Sequence, residues 1–198
     1  MRIGLLLIAT GKYDVFLQPL IDSVEKYFFK DDNVDIFLFA DKVPNIVHSD
    51  RLKITHIPTE HKPFPYSTLY RYKYFYNSRY LINNTDYVFY CDVDMLFVDH
   101  VGHEILPAYT GLVAVNHPGF AKTGGWGSPN TFKESRAYVA PENRGIYCAG
   151  GFQGGHTFSY LLAWAVSVFN SAVADSYGFF AAWHDASRFY FLFFDSCF

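Results

Sequence analysis

The chain has 198 residues, 51% of them apolar, and a net charge of −3 from 16 basic and 19 acidic side chains. That is enough apolar material for one domain with a real core, and it excludes a disordered chain. With no basic cluster, the long-range field that a nucleic-acid binder uses to hold phosphates is missing, and no apolar run is long enough for a membrane span.

The start, "MRIGLLLIATGKY", has one Arg and a short apolar run but lacks a small-residue cleavage site, so it reads as a first buried strand rather than a leader. In "DVFLQPLIDSVEKYFF" the spacing of Phe16, Leu20, Val24, Tyr27 and Phe28 predicts an amphipathic helix. Asp14 is available as its N-cap, and Pro19 is expected to kink or delay it. "VDIFLFAD" (34–41) predicts a second buried strand, and "RLKITHIP" alternates like a third. "YSTLYRYKYFYNSRYLI" predicts a helix, and "DYVFYCDVDMLFVD" a strand that runs into two carboxylates. This β-α-β-β-α-β order predicts an α/β fold with a mixed, largely parallel central sheet, whose ligands collect at the carboxyl ends of strands. Thr10 and Gly11 fall at one such end, and Asp92 to Asp94 at another.

The middle stretch, "HPGFAKTGGWGSPNTF", is expected to be a long irregular loop of the functional kind. The tail from Tyr160 is apolar almost throughout, and its last ten residues, "FYFLFFDSCF", follow neither a helical nor a strand period. The three cysteines, Cys91, Cys148 and Cys197, are odd in number, scattered and without a CxxC pair. They suggest neither a disulfide framework nor a structural zinc site, and a reducing cytoplasm is expected.

In an extended segment Asp92 and Asp94 share one face, with Val93 on the other. Two carboxylates so placed repel each other unless a cation lies between them, which suits a hard divalent metal with room left for a phosphate oxygen. Taken alone, Asp-X-Asp is also what an ordinary turn at a strand end looks like.

The surroundings say more. "YCDVDMLFVDHVGHEIL" closely resembles the metal-binding strand of the family 6 glycosyltransferases, the group of the histo-blood group A and B transferases and the α-1,3-galactosyltransferase. "IATGKYDVFLQPLIDSVEKYFF" resembles that family's first strand and helix, and "STLYRYKYF" the segment whose arginine, here Arg71, meets the sugar nucleotide. "NHPGF" resembles its acceptor-side loop, "SRAYVAPENRGIYCAGGFQGG" its donor-sugar segment, and "AAWHDAS" its Trp-His-Asp-Glu-Ser block.

The resemblance implies a single catalytic domain over residues 1–198 with a GT-A type nucleotide-sugar-binding fold. It also implies a UDP-GalNAc or UDP-Gal donor, manganese, and retaining transfer to the 3-hydroxyl of a galactoside or fucosylated galactoside. On the same basis Ile8, Ala9, Thr10, Tyr13 and Arg71 contact the donor, together with Val93, Ala149, Gly150 and Gly151, while Asp92 and Asp94 hold the metal against the diphosphate. His117, Trp183 and His184 face the acceptor. Trp126 is as readily a packed loop aromatic as a sugar platform. Small residues at Gly119, Ala149 and Gly151 favour GalNAc over Gal, a steric discrimination of about 1–3 kcal/mol.

One departure stands out. Ala186 follows Asp185 where the family has its Glu beneath the anomeric carbon, and alanine cannot stabilise an oxocarbenium-like centre. A lost preorganised carboxylate costs about two orders of magnitude or more. The chain also stops soon after this block, so the family's basic C-terminal lid over UDP is expected to be missing. With no anchor read at its start, the chain is expected to be a soluble bacterial or phage type of transferase. The alternative is an inactive or truncated remnant that only binds UDP-sugar or glycan.

Overall fold

The computed structural model describes residues 1–64, 66–108, 111–121, 131, 133, 138, 140–143 and 147–176. The apolar run after Arg2 forms strand β1 (Ile3–Ile8), and it is apolar on both sides because both are covered. Ile3, Leu5 and Leu7 pack with Leu17, Leu20, Ile21 and Val24 of helix α1 (Leu17–Tyr27), whereas Leu6 packs with Tyr72, Phe75 and Trp164 on the opposite face. Strand β2 (Val34–Ala40) repeats the alternation, with Ile36 and Leu38 on the α1 side and Phe37 and Phe39 on the other.

Pro19 delays the helix as expected. A short 3-10 turn (Gly11–Phe16) occupies the segment before it, and α1 begins only at Leu17. Pro19 then lies in the first turn, where its missing N–H has no intrahelical partner to lose. Asp14 makes no capping bond to α1; it sits inside the 3-10 turn, and Phe16 precedes the helix.

Strand β3 (Leu52–Pro58) lies at the edge, and the stretch predicted as one helix is broken into α2 (Tyr66–Leu69), α3 (Arg71–Asn77) and α4 (Arg79–Ile82). Its tyrosines, asparagine and serine hold a helix only weakly, so packing of Tyr72 and Phe75 into the core decides where the turns fall. Strand β4 (Tyr87–Cys91) then pairs in parallel with β1, register Leu6 opposite Tyr90.

The strand predicted over 86–99 ends there. β1 offers β4 no pair beyond Leu6, and the chain turns, with Met95 N donating to Asp92 O at 3.2 Å.

The far side of the sheet was not foreseen. Strands β5 (Leu112–Asn116) and β6 (Cys148–His156) complete the order β3-β2-β1-β4-β6-β5, in which β6 runs antiparallel to both of its neighbours. All other strands therefore point the same way, giving the mixed, largely parallel sheet that was expected. A run such as "CAGGFQGGH" reads poorly as a strand because glycine weakens one. The close approach of backbones explains it: a Cβ on Gly154 would fall 2.4 Å from Val88 O, and Gly155 has φ +144°. After the short helix α5 (Pro118–Ala121), helix α6 (Thr157–Ser176) covers the α3 face through Tyr160, Ala163 and Trp164. Among the described residues no helix is long and apolar enough to cross a membrane.

Cys91 is a buried free thiol, but Cys148 is disulfide-bonded. This corrects the expectation of unpaired cysteines and removes the argument from cysteine usage for a reducing compartment.

One polar hub ties α1 to β3. Arg51 Nη2 donates to Val24 O at 2.8 Å and Nη1 to the carbonyls of Phe29 and Asp32 at 3.1 and 3.0 Å, adding a charged donor to carbonyls at and just beyond the helix end. It also pairs with Glu25 at 3.3 Å. Burial alone would raise the Glu25 carboxyl, but hydrogen bonds from Ser49 and the Arg51 charge outweigh this and hold it below its ordinary value of 4.5. A depressed carboxyl contributes stability above the ordinary range that is lost as pH falls through the folded-state value. The thermal midpoint should therefore drop as pH falls below about 4.5, and Glu25→Gln should flatten that drop while lowering the midpoint at neutral pH. A wild-type profile that Glu25→Gln leaves unchanged would show that the hub adds nothing.

Candidate functional site

The β1→β2 crossover carries α1 on one face of the sheet, and the β3→β4 crossover carries α3 on the other. Between β1 and β4 the connections therefore part to opposite faces, and such a point opens a crevice at the carboxyl ends of the strands. A cavity of about 290 Å³ lies there. Its strand-end wall is formed by Ile8, Thr10 and Tyr13 on one side and Tyr90, Asp92, Val93 and Asp94 on the other. The facing wall comes from a single stretch, with His61, Lys62 and Phe64 followed by Ser67, Thr68 and Arg71.

Arg71 begins α3 and is 7% exposed. Its Nη1 donates to Gly150 O at 3.0 Å and its Nη2 to Asp92 Oδ1 at 3.1 Å, while the guanidinium lies 4.1 Å over the Tyr90 ring. The Tyr90 hydroxyl also donates to Asp92 Oδ1. Asp92 N in turn donates to Gly151 O at 2.8 Å, carrying the β4–β6 pairing one step past the strand end. A Cβ at Gly151 would come within 3.0 Å of Asp92 Oδ2 and 2.9 Å of the Met95 sulfur, so a side chain there would crowd the carboxylate.

Asp92 and Asp94 face one cavity from a turn and not from an extended strand; Val93 between them is buried and Asp94 is exposed. Among the described residues no group of three or more His, Cys, Asp and Glu converges as a metal site. The two carboxylates still suit a hard cation, with Asp92 Oδ1 occupied and Oδ2 turned toward Gly151. The ion would complete its shell with oxygens from a phosphate or water. The thiol beneath them takes no part: burial pushes Cys91 well above its ordinary value, and the charges of Asp92 and Asp94 push it further.

Other predicted positions sit apart from the cavity. Ala9 is packed in the core, its N–H donating to Phe39 O at 2.9 Å. Ala149 and Gly150 lie on β6 beside Arg71. His117 accepts from Gly119 N at 3.1 Å through Nδ1 and packs against Phe120 and Tyr147, the arrangement of a turn histidine. Trp126, Trp183, His184, Asp185 and Ala186 lie outside the described residues.

Six lining residues escaped the sequence reading: His61, Lys62, Phe64, Ser67, Thr68 and Tyr90. Thr10 Oγ1 meets His61 Nδ1 at 3.1 Å, and the His61 ring covers Gly11, where a Cβ would fall 2.9 Å from it. A signal was present, because Ser67 and Thr68 precede Arg71 by one helical turn and "HK" stands just upstream. Tyr90 left none, since a strand aromatic next to "CDVD" reads as core.

The family model described as Glycosyltransferase family 6 matches residues 1–196. The chain is 30% identical over 197 residues to the rat histo-blood group ABO system transferase 1, covering 94% of this chain and 55% of that protein. It is 27% identical to the human globoside alpha-1,3-N-acetylgalactosaminyltransferase 1, with 95% of this chain and 55% of the relative covered. To the Escherichia coli O-antigen biosynthesis glycosyltransferase WbnI it is 27% identical, over 81% of this chain and 68% of the relative. The chain thus spans about half the length of the mammalian relatives it matches.

Removing Arg71 would take the charged donor from two acceptors, leaving Asp92 Oδ1 with the Tyr90 hydroxyl and Gly150 O with Gln153 Nε2 at 3.4 Å. Arg71→Met should destabilise the fold by about 1.5–3 kcal/mol, toward the lower end because the Asp92 side chain is 35% exposed. Urea denaturation measures this, and a loss below about 0.5 kcal/mol would place the pair with ordinary screened surface pairs.

Proposed function

The chain belongs to glycosyltransferase family 6, and on that premise we propose that it is a hexosyltransferase. It moves GalNAc or Gal from a UDP-sugar to the 3-hydroxyl of a galactoside or fucosylated galactoside, metal-assisted and with retention. The observation that carries this reading is the convergence of Thr10, Tyr13, Arg71, Asp92 and Asp94 on one cavity at the β1/β4 crevice.

The residues divide the work by position. Ile8, Thr10 and Tyr13 lie at the β1 end, where Tyr13 is half-exposed and offers an aromatic face to the uracil. Asp92 and Asp94 would hold manganese, which would offset the negative charge that grows on the departing diphosphate. Arg71 orients Asp92, and Lys62 adds a cation to the facing wall. Gly151 leaves the space beside Asp92 open for the sugar, which is why a small residue there suits a donor with a bulky 2-substituent. Contacts of Asp185 with the sugar, and of His117, Trp183 and His184 with the acceptor, are carried over from the family resemblance.

A second reading is favoured by one observation. Ala186 stands at the position of the family Glu and has no carboxylate to set beneath the anomeric carbon, so the chain is on this reading a remnant that binds UDP-sugar without transferring it.

Manganese-dependent UDP release from UDP-GalNAc and UDP-Gal, with and without a fucosylated galactoside, separates the two. A transferase shows acceptor-stimulated release that Asp94→Asn lowers by about a hundredfold or more. Ala186→Glu is expected to raise transfer by about a hundredfold over the chain as it stands. A folded protein that is silent with every donor, and stays silent with Glu at 186, is a binding remnant.

A further inference from the structure

We infer that Tyr90 is a positioning residue for Asp92: by donating to Oδ1 and stacking beneath Arg71, it keeps Oδ2 as the oxygen presented to the cation and diphosphate. The inference rests on the transferase reading above.

Arginine and aspartate at close range tend to form a two-bonded fork that occupies both carboxylate oxygens. Such a fork would take Asp92 away from any cation. The structure prevents it. Arg71 lies over the Tyr90 ring at 4.1 Å and spends Nη1 on Gly150 O at 3.0 Å, so Nη2 alone reaches Asp92, at 3.1 Å. The Tyr90 hydroxyl donates to the same oxygen that Nη2 reaches. With both donors on Oδ1, rotation of the carboxylate breaks two bonds, and Oδ2 stays turned toward the gap that Gly151 leaves. No hydrogen bond or ion pair to Oδ2 occurs among the described residues.

Tyr90 is suited to hold this geometry because it cannot itself move. It is 2% exposed, it is anchored in β4 opposite Leu6, and its ring packs on Phe75 at 5.5 Å. A phenylalanine would fill the same space and keep the stacking, so only the hydroxyl distinguishes positioning from packing.

The test is Mn²⁺ binding to the full chain in the presence of UDP, followed by electron paramagnetic resonance of the free ion, for wild type, Tyr90→Phe and Tyr87→Phe. Tyr87 lies at the far end of the same strand, stacked on His156, and serves as the control. Tyr90→Phe should weaken Mn²⁺ binding about ten- to a hundredfold, in the range of a lost partner to a metal ligand. Losing a hydrogen bond to a carboxylate lowers the unfolding midpoint, so Mn²⁺ binding is compared at a temperature where all three proteins are folded, and Tyr87→Phe should bind Mn²⁺ as wild type does. Equal Mn²⁺ affinity in folded Tyr90→Phe and wild type overturns the inference and leaves Tyr90 a packing residue. Wild type that takes up no Mn²⁺ with UDP present overturns the metal-assisted reading, and the inference falls with it.

Discussion

A carboxylate at the end of a strand buried on both faces has to be held, because neither water nor the core can satisfy it fully. In this fold the holder is Arg71, and the consequences spread outward from it. One guanidinium fixes the start of α3, the carboxylate after β4 and a carbonyl of β6 at a single point. Three elements distant in the chain meet there, and they meet at the mouth of the crevice. The position of the cavity and the stability of the sheet's carboxyl edge are thus one arrangement.

That arrangement also explains the pairing of charge with smallness. Asp92 needs space on its Oδ2 side, and the antiparallel β6 passes close by to pair with β4. Only a glycine lets both happen at position 151. The glycines at 154 and 155 answer a different demand, the approach of backbones deep in the sheet. Residues of one type in one strand thus leave room beside a carboxylate at one end and serve packing at the other.

Much of this was legible in the sequence, where pattern and chemistry agree. β1 and β2 are apolar but for Asp35 because α1 covers one face and α3 with α6 the other, and the alternation within each run follows the two faces. Pro19 told where α1 would begin. Asp92, Asp94 and Arg71 were legible because the run around them is specific to one family. The turn at Asp92 was not, since an apolar flank on each side imitates a continuing strand, and only the lack of a β1 partner beyond Leu6 ends it. Strand β6 was hidden by its glycines, whose meaning lies in the strand opposite and not in their own neighbours. His61 and Tyr90 were hidden for a similar reason: each acquires its role from a residue placed by the fold, Thr10 for one and Asp92 for the other.

The two walls of the cavity differ in what anchors them. The strand-end wall is continuous with the core through Tyr90 and Val93, whereas the facing wall holds Phe64 at 75% exposure, and among the described residues its Lys62 forms an ion pair only with neighbouring Glu60. For anyone redesigning the pocket, Tyr90 and Val93 of the first wall are a fixed foundation whose substitution is paid for in folding. The second, Arg71 apart, is the place to build libraries, because residues 62, 64, 67 and 68 border the cavity without bearing the weight of the sheet. Natural divergence meets the same asymmetry, so chains of this architecture are expected to vary their ligand preferences along that stretch while the turn after β4 stays as it is.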